Sequence, residues 1–86
     1  MSDVQKAQEK GRAAVIVVNT KQNQWDEKEI TFEQVVELAF PGQPYDPAGT
    51  TVEFSRGHGK DKSLRPGEDV RIKDGMIFDV ESANRS

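Results

Sequence analysis

The segment 31–40, TFEQVVELAF, has the periodicity of an amphipathic helix and constrains the fold more than any other part of the sequence. Apolar residues at i, i+3, i+4 and i+7 share one helix face: Phe32, Val35, Val36 and Ala39. Thr31 and Gln34 have the spacing of a capping box, and Pro41 and Gly42 end the segment. A lone helix of about ten residues is unstable in water, so the rest of the chain must supply a surface for it.

Composition limits the possible functions. The 86 residues form one small domain, and without cysteine there is no disulfide, thiolate metal site or cysteine nucleophile. The net charge is −3 with both signs interspersed, which argues against nucleic-acid binding. The apolar run 13–18 is too short to cross a membrane, and the first twelve residues lack a signal peptide's apolar core. We therefore expect a cytoplasmic monomer without a membrane or nucleic-acid partner.

Five segments have the composition of short strands. The apolar, β-branched run 13–19 is typical of a central strand, and the less regular segment 24–30 follows it as the return strand of a hairpin. Three later segments alternate or end in turns: 50–56, 69–73 and 76–81. Asp74-Gly75 is typical of a type I′ hairpin joining the last two strands. The helix is expected to pack on inward residues of the later strands: Val52, Phe54, Val70, Ile72 and Phe78.

The predicted order is ββαβββ, an α+β fold with a five-stranded mixed sheet wrapped around one helix. With the first and last strands paired in parallel, a pairing taken from fold analogy, this is the β-grasp architecture. The expected domain spans residues 13–81, preceded by a flexible arm at 1–12 and followed by a flexible tail at 82–86.

The sequence offers little for catalysis, so we expect a protein that is not an enzyme and uses no metal or cofactor. The one histidine, His58, lies between glycines in a polar loop with no second metal ligand beside it. The GHGK segment lacks the spacing of a phosphate-binding loop and precedes no helix. Trp25 is a core residue or a partner contact, and the core interpretation is favoured because small cores need large apolar side chains.

Several motifs occur together in an informative order: VVN in the first strand, TFEQVVELAFPG in the helix, FSRG, the turn containing Gly67, and KDGMIF before a polar end. From about residue 15 to residue 86 the sequence resembles the multiubiquitin domain family of bacterial ubiquitin-like proteins, with one module in this chain. The resemblance implies a ubiquitin-like β-grasp fold. It also implies an E1-like activating enzyme, an E2-like conjugating enzyme and a deubiquitinase-like peptidase as partners.

The resemblance gives a first hypothesis, a protein modifier whose tail carboxylate is activated and transferred to a target, with or without peptidase trimming. The conjugation tail would be formed by the last five residues: Ser82, Ala83, Asn84, Arg85 and Ser86. A second hypothesis is a non-conjugated β-grasp adaptor that binds a partner through its sheet face. A third, a sulfur carrier, is disfavoured because the tail has no Gly-Gly.

The candidate partner contacts lie on the outward face of the sheet beside the tail. They are three cations: Arg56, Arg71 and Lys73. Trp25 is a further candidate contact that is not assigned to a particular face. Ordinary solvated strand residues are an equally weighted interpretation of the cations, because exposed charges contribute little binding energy.

Overall fold

The protein is described by a computed structural model that covers residues 13–57 and 61–82. The predicted arm at 1–12, His58 and the segment 83–86 lie outside the described residues. Within those ranges one α-helix and seven strands follow in this order: β1 (Ala14–Val18), β2 (Lys21–Trp25), β3 (Glu29–Thr31), α1 (Phe32–Ala39), β4 (Thr50–Ser55), β5 (Lys62–Leu64), β6 (Asp69–Arg71) and β7 (Ile77–Ser82). A short 3₁₀ turn, Pro47–Gly49, precedes β4.

Five strands form one mixed sheet in the order β2-β1-β7-β4-β5, and β3 and β6 form a separate two-stranded sheet. The first and last strands, β1 and β7, run parallel, whereas the other neighbours in the large sheet are antiparallel. One helix on a mixed five-stranded sheet confirms the α+β prediction and is consistent with a β-grasp. The order differs from the predicted ββαβββ because the predicted strand 24–30 is divided between β2 and β3, and because β5 is a strand that the sequence analysis did not identify. The predicted strand 69–73 is β6, which joins the small sheet instead of the large one.

Helix α1 follows its local sequence closely. The hydroxyl of Thr31 accepts from the N–H of Gln34 at 3.1 Å, and the Gln34 side chain accepts from the N–H of Thr31 at 2.9 Å, so both bonds of the capping box form. The N–H of Phe40 donates to the carbonyl of Val36 at 2.8 Å as the helix ends. Its buried face consists of Phe32, Val35 and Val36, as predicted, with Ala39 half-buried at the margin.

The core lies between α1 and the inward side chains of the large sheet. Val52, Phe54 and Phe78 are buried as predicted, but Val70 and Ile72 only pack against the margin of the core. Val70 lies on β6, which pairs with β3 instead of joining the large sheet, and Ile72 follows that strand. The other sheet and loop residues of the core are Ile16, Val18, Ile30, Leu64, Met76 and Val80.

The first hairpin is tighter than expected. The return strand begins at Lys21 rather than at residue 24, because Asn19 and Thr20 form a two-residue turn with φ of 50° and 72°. Positive φ at both central residues is the type I′ geometry, which matches the twist of paired strands. The strand ends at Trp25, and the chain leaves the sheet before β3 begins. Trp25 and Ile30 therefore lie in different strands, and no bulge is needed to direct both toward the core.

Asp74-Gly75 does not form the predicted hairpin. Strand β6 pairs with β3, and β7 pairs with β1 and β4. A type I′ turn needs positive φ at both positions, but only Gly75 has it, at 89°. The turn instead binds the beginning of β1: the N–H of Val15 donates to the Asp74 carboxylate at 2.7 Å, and the N–H of Gly75 donates to the Val15 carbonyl at 2.8 Å.

Asn19 holds the second half of β7. Its side-chain oxygen accepts from the N–H of Val80 at 2.8 Å, and its amide nitrogen donates to the Val80 carbonyl at 3.2 Å. The parallel pairs of β1 and β7 end at Val18 and Phe78, so the amide of Asn19 continues the pairing two residues further along β7. Asn19 thus forms part of the hairpin turn with its backbone and holds β7 with its side chain.

Changing Val36 to Asp tests the orientation of the helix. Val36 is 1% exposed, and an unpaired buried carboxylate costs several kcal/mol, close to the whole stability of a small domain. We expect the Val36→Asp chain to be unfolded by urea titration and by loss of NMR dispersion. Gln43→Asp places the same carboxylate at an exposed position and should leave the fold intact. Equal stability of the two variants would contradict this packing.

Changing Asn19 to Gly tests the bridge to Val80. Glycine accepts positive φ, so this change removes the side-chain bonds without straining the turn. We expect a loss of about 1–3 kcal/mol in the free energy of unfolding, with faster hydrogen exchange at the Val80 amide. Thr20→Gly, the matched control, relieves a β-branched residue of positive φ and should keep or raise stability. Slow exchange at Val80 in Asn19→Gly would show that the bridge is unimportant.

Candidate partner-binding surface

The root of the predicted tail is part of the sheet. Ser82 is the last residue of β7 and pairs with Thr50 of β4, so the sheet extends one residue past the expected domain boundary at 81. Ser82 is therefore a strand residue, because antiparallel pairing with β4 continues to its end, and not the first residue of a tail. The other predicted tail residues, Ala83, Asn84, Arg85 and Ser86, lie outside the described residues.

The predicted cations do not lie on the outward face of the large sheet. Arg71 belongs to β6 of the small sheet, and Lys73 follows that strand in a loop. Arg56 follows β4, and its guanidinium carbon lies 5.5 Å from the centroid of the Phe54 ring, a distance within the range of a cation–π contact. Its Nη2 donates a long hydrogen bond of 3.4 Å to the Arg71 carbonyl. The structure thus brings Arg56 to Arg71 at the rim of the sheet.

Trp25 ends β2 half-buried and packs against the margin of the core. Its indole Nε1 donates to the carbonyl of Glu29 at 2.9 Å, so the polar atom of the ring is bonded within the chain. The side chain therefore contributes to packing, as the favoured interpretation holds, while part of its surface stays accessible.

The outward face of β4 and β7 is acidic. Side chains alternate along a strand, so the positions between buried residues point outward: Glu53 on β4, and Asp79 and Glu81 on β7. Glu53 and Asp79 are direct cross-strand partners, an arrangement of like charges that destabilises a sheet. No outward position of the five strands in the described chain carries Lys or Arg.

An apolar strip borders these carboxylates. Ile77, at 42% exposed, is the exposed large hydrophobic residue of the described chain, and it is aligned with the half-buried Val17 of β1. A shallow depression of about 290 Å³ lies on the acidic side, lined by Asn19, Thr51, Glu53, Asp79, Val80 and Glu81. Carboxylates beside an apolar strip suit contact with a surface that carries cations and apolar side chains. Sequence reasoning missed this face, although the alternation VEFS and IFDVE was its signal.

Tyr45 is a structural anchor for the connection between α1 and β4. Its ring centroid lies 6.2 Å from that of Phe32. Burial raises the pKa of Tyr45 above its ordinary value, and the carboxylates of Glu33 and Glu37 raise it further. The phenol is therefore protonated at neutral pH and is not a base.

The described residues contain no group of three or more acidic or histidine side chains placed to hold a metal ion. Among the same residues, no helix is long and apolar enough to cross a membrane.

Comparison with known proteins identifies the family. The family model described as Multiubiquitin matches residues 14–83, about four fifths of the chain and all of the strands and the helix described above. The comparisons with curated proteins and with solved structures found no match. The extent of the family match, over a fold consistent with a β-grasp, establishes that this chain belongs to the multiubiquitin family.

Proposed function

We propose that the chain is a bacterial ubiquitin-like modifier with no active site of its own. Membership of the multiubiquitin family is the observation that carries this proposal. The partners are an E1-like activating enzyme, an E2-like conjugating enzyme and a deubiquitinase-like peptidase, and the compartment is the cytoplasm. The chain contributes a docking surface and a tail, and the enzymes contribute the chemistry.

The chemistry must come from the partners because a carboxylate is a poor electrophile. An activating enzyme joins the tail carboxylate to the AMP portion of ATP and releases pyrophosphate. A thiolate of the enzyme then attacks the acyl carbon and AMP leaves, which gives a thioester. The thioester passes to the conjugating enzyme's cysteine, and a nucleophile of the target finally displaces that cysteine. This chain has no cysteine, so every thioester is formed on a partner.

The structure supports a tail that is held at its root. Asn19 bonds both backbone polar groups of Val80, and Ser82 pairs with Thr50 at the end of β7. The segment 83–86 then spans at most about 14 Å when it is extended. That length lets the chain end enter an enzyme cleft while the sheet docks outside it, and a peptidase that trims toward Asn84 would shorten this reach.

The docking surface in this proposal is the acidic and apolar outward face around Ile77 and Asp79. This face is next to the tail, because Glu81 immediately precedes Ser82 in β7. The enzyme surface that fits it carries cations, whereas contacts through Arg56, Arg71 and Lys73 would need an acidic partner surface. The same face supports the second candidate, a non-conjugated adaptor, because its cross-strand carboxylates Glu53 and Asp79 lower stability without serving the fold.

A reconstituted reaction tests conjugation. The full chain is incubated with the activating and conjugating enzymes encoded beside it and with ATP, and covalent adducts are detected by intact mass. We expect an adduct with the full chain or with the peptidase-treated chain, and none after deletion of 83–86 or without ATP. If neither the full nor the treated chain forms an adduct, the modifier proposal fails and the adaptor replaces it.

Reversing one charge on each surface identifies the docking face. Asp79→Lys should raise the free energy of unfolding by about 0.2–1 kcal/mol, because it faces Glu53, yet slow association with the activating enzyme. Arg71→Glu, the matched reversal at the rim, should leave the association rate unchanged. Stopped-flow binding measures the association rate of each variant at low and at high salt, and screening at high salt should remove the difference between the two rates. If Arg71→Glu alone slows association, the docking surface contains Arg71 and is not the acidic face around Asp79.

A further inference from the structure

Among residues 13–57 and 61–82, strand β2 presents an open edge of the large sheet. It is an outer strand of that sheet, and within those residues it pairs with β1 alone. In a hairpin closed by a two-residue turn, the flanking pair is hydrogen-bonded and the pairs then alternate, so Val18 and Lys21 bond each other and Val17 and Gln22 do not. The N–H and C=O groups of Gln22 and Gln24 therefore point away from β1, toward the edge.

Apart from Lys21 beside the turn, this edge lacks the features with which proteins block strand pairing. The segment KQNQW contains no proline, no glycine and no acidic residue, and its register with β1 is unbroken over five pairs. Natural edges are usually blunted by lysine and other charges, proline, bulges or short length. Lys21, the strand residue next to the turn, is the one such feature of β2, and the four residues after it carry no charge. The opposite edge, β5, has only three residues. Strand β2 is thus the longer edge, and its residues 22–25 are without such protection.

We propose that β2 pairs in antiparallel fashion with β2 of a second copy of this chain, about a two-fold axis at Asn23. Such an isologous contact requires a self-complementary segment, and KQNQW is one. Gln22 then faces Gln24 of the second copy, which joins the four outward backbone groups of each edge. Lys21 faces Trp25 of the second copy, where an ammonium can lie over the accessible part of the indole. The central pair is Asn23 with itself.

The register also agrees with the hydrogen-bond alternation. Gln22 and Gln24 are the residues with outward N–H and C=O groups, and the two-fold axis places them opposite each other as hydrogen-bonded pairs. Shifting the register by one residue would place these groups opposite residues whose own groups bond β1. Side chains of one face also remain together, Gln22 and Gln24 on one side and Lys21, Asn23 and Trp25 on the other.

Two five-residue edges form a smaller contact than a permanent dimer needs. The pair is therefore a concentration-dependent dimer, dimeric at a protein concentration on the order of 1 mM and monomeric at about 10 μM. The axis is perpendicular to the sheet, so both outward faces lie on the same side and present two docking surfaces and two tails together. A partner that carries two sites gains avidity from such an arrangement. The pairing itself does not depend on the proposed conjugation.

Cysteine scanning tests the register directly, because the chain has no native cysteine. A non-hydrogen-bonded antiparallel pair has a Cα separation of about 4.5 Å, within the disulfide range of about 4.4–6.8 Å. Asn23→Cys should therefore form disulfide dimers rapidly under mild oxidation. Gln22→Cys should not cross-link to itself, because the two-residue offset places its copies beyond about 7 Å. Equal cross-linking of Asn23→Cys and Gln22→Cys would overturn the proposal.

Sedimentation or NMR diffusion of the cysteine-free chain gives a second measurement. Gln22→Lys combined with Gln24→Lys puts like charges opposite each other and should leave only monomer. Mixing it with the chain carrying Gln22→Glu and Gln24→Glu should restore dimer. Gln43→Lys with Ser63→Lys adds the same charge away from β2 and should keep the dimer. A full chain that stays monomeric while one lacking residues 1–12 dimerises would overturn the proposal, by showing that those residues occupy the edge.

Discussion

The parallel contact between β1 and β7 is the constraint on which the rest of the structure depends. The N–H of Val17 donates to the Met76 carbonyl at 2.9 Å, and the N–H of Asn19 donates to the Phe78 carbonyl at 3.0 Å. These bonds join the two ends of the fold, about sixty residues apart in the sequence, and they place β7 between β1 and β4. The ordering entropy of that long loop is offset only when α1 covers the sheet and the apolar side chains of both strands leave water.

The sequence predicted best what depends on neighbouring residues. The helix, its capping box and its buried face follow from spacings of three and four residues, and the alternation in β4 and β7 follows from pleating alone. Asp74-Gly75 failed as a hairpin signal because the carboxylate and the glycine N–H serve another purpose, holding Val15. A dipeptide shows that the chain turns there, but the strand it turns toward is decided by long-range pairing.

For the candidate site too, the sequence predicted local properties better than long-range pairing. Trp25 was predicted to belong chiefly to packing, and its local environment bears this out. The cations were assigned to the outward sheet face because Arg71 alternates correctly within its own segment. Alternation shows which residues share a face but not which sheet the strand joins, and β6 joins β3. The acidic face around Asp79 became recognisable only when cross-strand pairing put Glu53 opposite it.

The order of strands in the large sheet places the open edge at β2 and the acidic outward face at β4 and β7 in different parts of the sheet. The strand leading to the tail is central, so its backbone is bonded on both sides, by β4 and by Asn19, and it cannot be extracted without breaking the core. The open backbone groups are instead at β2, with β1 between that edge and β7. A second strand bound at β2 therefore leaves Ile77 and Asp79 uncovered, and a protein bound to that face leaves Gln22 and Gln24 free to pair. Because the same sheet carries both surfaces, two copies joined at β2 would hold the ends of their β7 strands, at Ser82, at a fixed spacing, which a flexible tandem linker would not do.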